Sequence, residues 1–76
     1  MLDGIHKIHL IGIGGSGMRA IANILIQKGY DVSGSDIAES AVISKFRDMG
    51  ATVHIGHNKE YVNGVDAIAV SYTHLT

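Results

Sequence analysis

Apolar positions along the chain fall into short runs that alternate with stretches of helical period. Residues 7–13 carry Ile8, Leu10, Ile11 and Ile13 and run directly into glycines. A short, nearly continuous apolar run suits a strand covered on both faces, as in a parallel sheet. From residue 16 to 28 the period changes: Met18, Ile21, Ala22 and Leu25 recur at helical spacing, with Arg19, Asn23 and Gln27 off that face. Gly29 supplies the stop. Residues 30–35 predict a second strand with Val32 inward, ended by Asp36. Residues 37–40 then turn into a helix over 41–49 with Val42, Phe46 and Met49 on one side. Ser40 is placed to cap that helix and Gly50 to end it. Residues 53–55 predict a third strand, Asn58 caps a helical turn running to Val62, and 67–70 predict a fourth strand. No internal repeat, linker or low-complexity segment interrupts the series.

Strand and helix alternating in this way define an α/β chain: a parallel sheet of about four strands with flanking helices and right-handed crossovers. Residues 71–76 follow no period. A parallel sheet with no helix after its fourth strand predicts a truncated domain, one that continues past this chain.

Composition narrows the function. The 76 residues make one small domain, which buries only about 60% of its unfolded surface. With 46% hydrophobic and 17% charged residues, the chain reads as globular and apolar enough to leave surface for a neighbour. Six basic residues stand against seven acidic ones, a net charge of -1, and no basic run offers a nucleic-acid backbone a footing. The absence of Cys excludes disulfides and thiolate metal sites. No signal-like segment opens the chain, and no apolar run approaches the roughly 20 residues that cross a bilayer. The expectation is a soluble, cytoplasmic protein with neither nucleic acid nor membrane as partner.

The chemistry lies in the glycines. Gly12, Gly14 and Gly17 have the G-x-G-x-x-G spacing, with Gly15 added, between a predicted strand and a predicted helix. In that context Gly12 permits the tight turn, Gly14 lets backbone approach an anion, and Gly17 lets the helix pack close to the strand. The N–H groups of Gly15, Ser16 and Gly17 are expected to be unpaired at the helix start, where the macrodipole also favours an anion, and Ser16 adds a hydroxyl. Asp36 follows at about the 20-residue separation of the acid that binds a nucleotide hydroxyl. The plainer alternative is a tight strand-to-helix turn with Asp36 as a helix cap.

The string from Ile8 to Met18, with Gly34, Ser35 and Asp36 and then Gly56 and His57, resembles the opening of the Mur ligase family of peptidoglycan synthesis. The likeness runs over residues 6–71 and is strongest to the branch that adds L-alanine. It implies a three-domain, ATP-dependent ligase of the bacterial cytoplasm. Residues 1–76 would be its N-terminal, Rossmann-like, UDP-sugar-binding domain, which takes the UDP part of UDP-N-acetylmuramate. ATP and Mg²⁺ would bind a central domain and L-alanine a third, both outside this chain. ATP would turn the muramoyl carboxylate into an acyl phosphate for attack by the amine. By position, Gly12, Gly14, Gly15, Ser16 and Gly17 would hold the pyrophosphate, Asp36 and Ile37 would meet the uridine, and His57 would lie near it. The family's Gly-Lys-Thr phosphate loop does not occur here, and Ser71 is followed by Tyr72 rather than by a second serine. No catalytic residue is expected within the chain.

Other readings share the spacing. A nicotinamide-dinucleotide domain would use Asp36 for the adenosine ribose and so prefer NAD to NADP. A regulatory module would sense a nucleotide without chemistry. A sister ligase that attaches a tripeptide to the same UDP-sugar has the same architecture. His6 and His9 are expected on opposite faces of the first strand, and His54 and His57 converge only if their loop bends back, so no metal site is expected. Met18 is expected to pack beneath the loop, Lys45 and Arg47 to form a solvated face, and Tyr30 and Tyr61 to pack at edges.

Overall fold

The computed structural model describes residues 4–70; the expectation for 71–76 lies outside the described residues. The order is β1 (Lys7–Ile11), α1 (Ser16–Gln27), β2 (Asp31–Asp36), α2 (Ala41–Asp48), β3 (Thr52–Ile55), a 3-10 helix (Lys59–Val62) and β4 (Ala67–Val70). All strand pairs are parallel, in the order β3-β2-β1-β4. The chain steps from β1 to β2 to β3 and then returns to β4 on the far side of β1. Strand order therefore reverses between β1 and β4, and open α/β sheets take ligands at the carboxyl ends of strands beside such a reversal.

Side-chain alternation sorts the sheet into two faces. Ile8, Leu10, Val32 and Val53 join Met18 and Ala22 of α1 and Ile43 and Phe46 of α2 in one core, so both helices cover the same face. Leu10, Ile13 and Ile43 are fully buried; truncating a side chain so placed to Ala costs about 2–5 kcal/mol. The opposite face carries His9, Ser33, Ser35 and His54. The 3-10 helix covers part of it through Tyr61, whose ring stacks on His54 with centroids 4.1 Å apart. Ile68 and Val70 of β4 pair with His9 and Ile11 and remain exposed on that face.

Several expectations are corrected. β1 stops at Ile11, and Ile13 enters the core from the loop instead. Ile21 is exposed because the buried stripe of α1 runs through Met18 and Ala22, with Leu25 and Ile26 partly covered. Ile43 is the fully buried residue of α2, off the stripe read through Val42, Phe46 and Met49. Arg47 is not simply solvated: its Nε and Nη2 donate to the Val53 carbonyl while Nη1 pairs with Glu39 at 2.7 Å, tying α2 to β3. Tyr61 stacks rather than lying at an edge. Ser40 does cap α2, accepting from the Ile43 N–H at 3.4 Å, and Met18 is buried as expected.

One carboxylate sets the start of the β1–β4 pair. Asp66 Oδ2 accepts the N–H groups of His6 and Lys7 at 2.8 and 2.9 Å, and the Asp66 N–H donates to the Lys7 carbonyl. Those two backbone donors hold the Asp66 carboxyl below its usual range.

Candidate functional site

The loop between β1 and α1 is shaped by its own backbone and by β2. Gly12 has φ +79, a left-handed conformation that glycine adopts without strain. The turn it makes sends the N–H groups of both Gly12 and Ile13 to the Ser35 carbonyl, at 2.8 and 3.2 Å. Ile13 then drops into the core against Gly34, where an added Cβ would stand 2.7 Å from Ile13 Cδ1 and 3.0 Å from the Leu10 carbonyl oxygen. The glycine that permits close packing is therefore Gly34, not Gly17: a Cβ on Gly17 would meet nothing within 4 Å. A glycine inside a strand pattern is itself a sign of such an approach.

Gly14 also differs from expectation. Its N–H donates to Asp36 Oδ2 at 2.8 Å, and a Cβ there would stand 2.9 Å from that oxygen. The missing side chain at Gly14 thus makes room for Asp36. The other carboxylate oxygen accepts the Ile37 N–H at 2.7 Å. The Gly15 N–H, expected to be unpaired, donates to the Gly12 carbonyl at 2.9 Å. That leaves the N–H groups of Ser16 and Gly17, the first two residues of α1, with no acceptor among the described residues. They lie at the positive end of the helix, where an anion is stabilised by about 0.3–1 kcal/mol through the macrodipole.

Ile37 and His57 lie just past the carboxyl ends of β2 and β3. Ile37 follows Asp36 with its side chain 76% exposed, and His57 Nδ1 lies 3.2 Å from Ser35 Oγ. Ser35 therefore touches both sides of the site, its carbonyl holding the glycine turn and its hydroxyl the imidazole. Beyond His57, on the face away from α1, a cleft of about 360 Å³ is lined by His9, Ile11, Ser35, Lys59 and Ile68 among others. His9 is buried, with Nδ1 2.8 Å from Ser33 Oγ. Burial holds its imidazole below the usual value, and His54 and His57 add repulsion. His54 belongs to β3 itself, and it and His57 both bear on His9 electrostatically; among the described residues no group of three potential ligands is placed to hold a metal. The sequence pattern marked Gly34 and Ser35 without giving them a role, and gave none to Arg19, whose Nε donates to the Gly14 carbonyl at 3.1 Å.

A parallel sheet, a glycine turn after its first strand, two unpaired amides at the next helix and an acid returning from β2 place the chain among the Rossmann-like α/β domains. Its residues 7–75 match the Mur ligase family, catalytic domain, and the chain belongs to that family. It is 46% identical over 70 residues to a UDP-N-acetylmuramate–L-alanine ligase of Thermobifida fusca, covering 92% of this chain and 15% of that protein. With the ligase of the same name from Clostridium beijerinckii it shares 52% identity over 62 residues, 82% of this chain and 14% of the relative. Among solved structures, a murein peptide ligase from Psychrobacter arcticus 273-4 superposes with a TM-score of 0.79 at 26% identity, over 88% of this chain and 14% of that one. The chain thus spans about a seventh of the length of the proteins it matches.

Proposed function

We propose that this chain is the UDP-sugar-binding first domain of a longer, ATP-dependent ligase that joins L-alanine to UDP-N-acetylmuramate in the bacterial cytoplasm. The observation that carries the reading is the pair of unpaired N–H groups at Ser16 and Gly17, set beside Asp36 and the exposed Ile37. A diphosphate resting on the two amides extends its nucleoside toward β2, where Ile37 offers an apolar surface and the free lone pairs of Asp36 accept hydroxyl or base N–H groups. Gly12, Gly14 and Gly15 shape the loop rather than donate to the ligand. His57, steered by Ser35, borders the same region. The 45–52% identity to four L-alanine ligases supports L-alanine over a peptide as the added group.

The domain supplies binding and orientation, not bond making. Holding the nucleotide end of the substrate fixes where its muramoyl carboxylate lies, which is how remote binding contributes to a reaction elsewhere. In this reading ATP and Mg²⁺ bind outside the chain. The test is an assay of the longer protein that carries this segment. It should release phosphate from ATP only when UDP-N-acetylmuramate and L-alanine are both present. NAD-linked hydride transfer without ATP turnover would overturn the proposal in favour of an oxidoreductase.

A further inference from the structure

Gly14 is held by charge at both ends. Asp36 takes its N–H and Arg19 Nε donates to its carbonyl. The acid is in a favourable place for stability, since it satisfies two backbone donors of the loop. The base is not. Arg19 is the fourth residue of α1, so a full positive charge stands at the positive end of a helix, where acids are favoured and bases disfavoured. The first turn of α1 contains no acidic residue and Gly15 provides no side-chain cap. Asp36, the acid nearest along the loop, spends both oxygens on backbone N–H groups. The one ion pair among the described residues is that of Arg47 with Glu39.

Arg19 is also held in place. Its side chain lines a groove of about 250 Å³ between α1 and α2 with Val42, Phe46 and Lys45. Nε is fixed on the Gly14 carbonyl, and the two terminal nitrogens meet no acceptor among the described residues. A guanidinium anchored in this way presents a planar fork suited to phosphate oxygens. Side chains of a helix lean back toward its start, and the exposed Arg19 follows that rule, its Nε reaching Gly14 just before the helix.

We infer that Arg19 contacts the ligand directly: its terminal N–H groups bind the diphosphate seated on the Ser16 and Gly17 amides and set the preference for a nucleoside diphosphate over the uncharged nucleoside. The inference rests on the glycine loop being a diphosphate cradle. It also explains the placement of the charge. Without an anion Arg19 repels the helix dipole and the two amides; with one, all three act on the same group. Lys45, in the same groove but on α2 and without a bond to the loop, contributes only a diffuse field.

The experiment is calorimetric titration of the chain and of Arg19→Ala, Arg19→Lys and Lys45→Ala with UDP and with uridine. The wild-type chain should prefer UDP. Arg19→Ala should lose about tenfold or more for UDP, as expected for a charged hydrogen bond, with uridine affinity unchanged and the thermal midpoint not lowered. Arg19→Lys should fall between, and Lys45→Ala should stay near wild type. Equal UDP affinity in Arg19→Ala overturns the inference. So does parallel loss of UDP and uridine, which would make Arg19 a positioning residue, or an equal loss in Lys45→Ala. A wild-type chain with no preference for UDP would instead remove the cradle reading, and this inference with it.

Discussion

Gly34→Ala tests whether the glycine loop is held by packing against β2. Gly34 pairs with Leu10 in β1 and Val53 in β3, so its backbone is pinned from both sides. A Cβ would stand 2.7 Å from Ile13 Cδ1, 2.9 Å from Ile13 Cβ and 3.0 Å from the Leu10 carbonyl oxygen. Carbon atoms are at ease near 3.5–4.0 Å. The Cδ1 contact can be relieved by a rotamer change, but Ile13 is fully buried and its Cβ moves only if the loop moves. Overpacking of this kind costs about 1–3 kcal/mol. Replacing a glycine in a strand returns roughly 0.5–1 kcal/mol of backbone entropy, so a net loss of roughly 1–2 kcal/mol is expected. At about 4–8 °C per kcal/mol for a chain of this size, circular dichroism should show a clear fall in the thermal midpoint. UDP binding should weaken with it, because Ile13 lies between Gly12 and Gly14. An unchanged or raised midpoint would refute the reasoning.

Gly17→Ala should have the opposite sign, since a Cβ there meets nothing; a midpoint raised by the equivalent of up to about 1 kcal/mol is expected from helix propensity, and a fall would mean that Gly17 packs against something. Asp36→Asn leaves one carbonyl oxygen for the two N–H groups of Gly14 and Ile37, a loss of about 1–3 kcal/mol in urea denaturation; equal stability would contradict the loop geometry. Burial lowers the proton affinity of His9 in the fold, while the unfolded chain takes up its proton near 6.5. The unfolded state then binds more protons, so stability should fall as pH drops through 6.5, and His9→Gln should flatten that limb. Asp66 has the depressed value of an acid that gains partners, so its contribution is full above 3.8 and is lost as pH falls through the lower folded value; Asp66→Ala should be less stable than wild type at neutral pH and converge with it in acid.

What was legible in the sequence was whatever depends on backbone requirements at fixed spacing. The four strands, the capping of α2 by Ser40 and the turn at Gly12 follow from period, cap chemistry and glycine position. The division of labour among the glycines was not legible. Gly34 takes the close-packing role expected of Gly17 because Ile13 leaves β1 and turns inward, and no local pattern says where its side chain goes. Gly15 loses its free N–H to a turn that closes onto Gly12. Arg19 and Arg47 both look like surface charges along the chain. Only the fold shows that one reaches back to Gly14 and the other across to Val53. His9 reads as polar within an apolar run, and its burial depends on Ser33 from the neighbouring strand.

If the Ser16 and Gly17 amides receive a diphosphate, backbone amide shifts of this chain will report it during titration with UDP-N-acetylmuramate and, separately, NAD. Saturable shifts are expected with the UDP-sugar, largest at Ser16 and Gly17 and extending to Ile37 and His57. The already bonded amides of Gly14 and Gly15 should move less. Shifts with NAD alone, or UDP-sugar binding that leaves Ser16 and Gly17 unmoved, would contradict the proposed function.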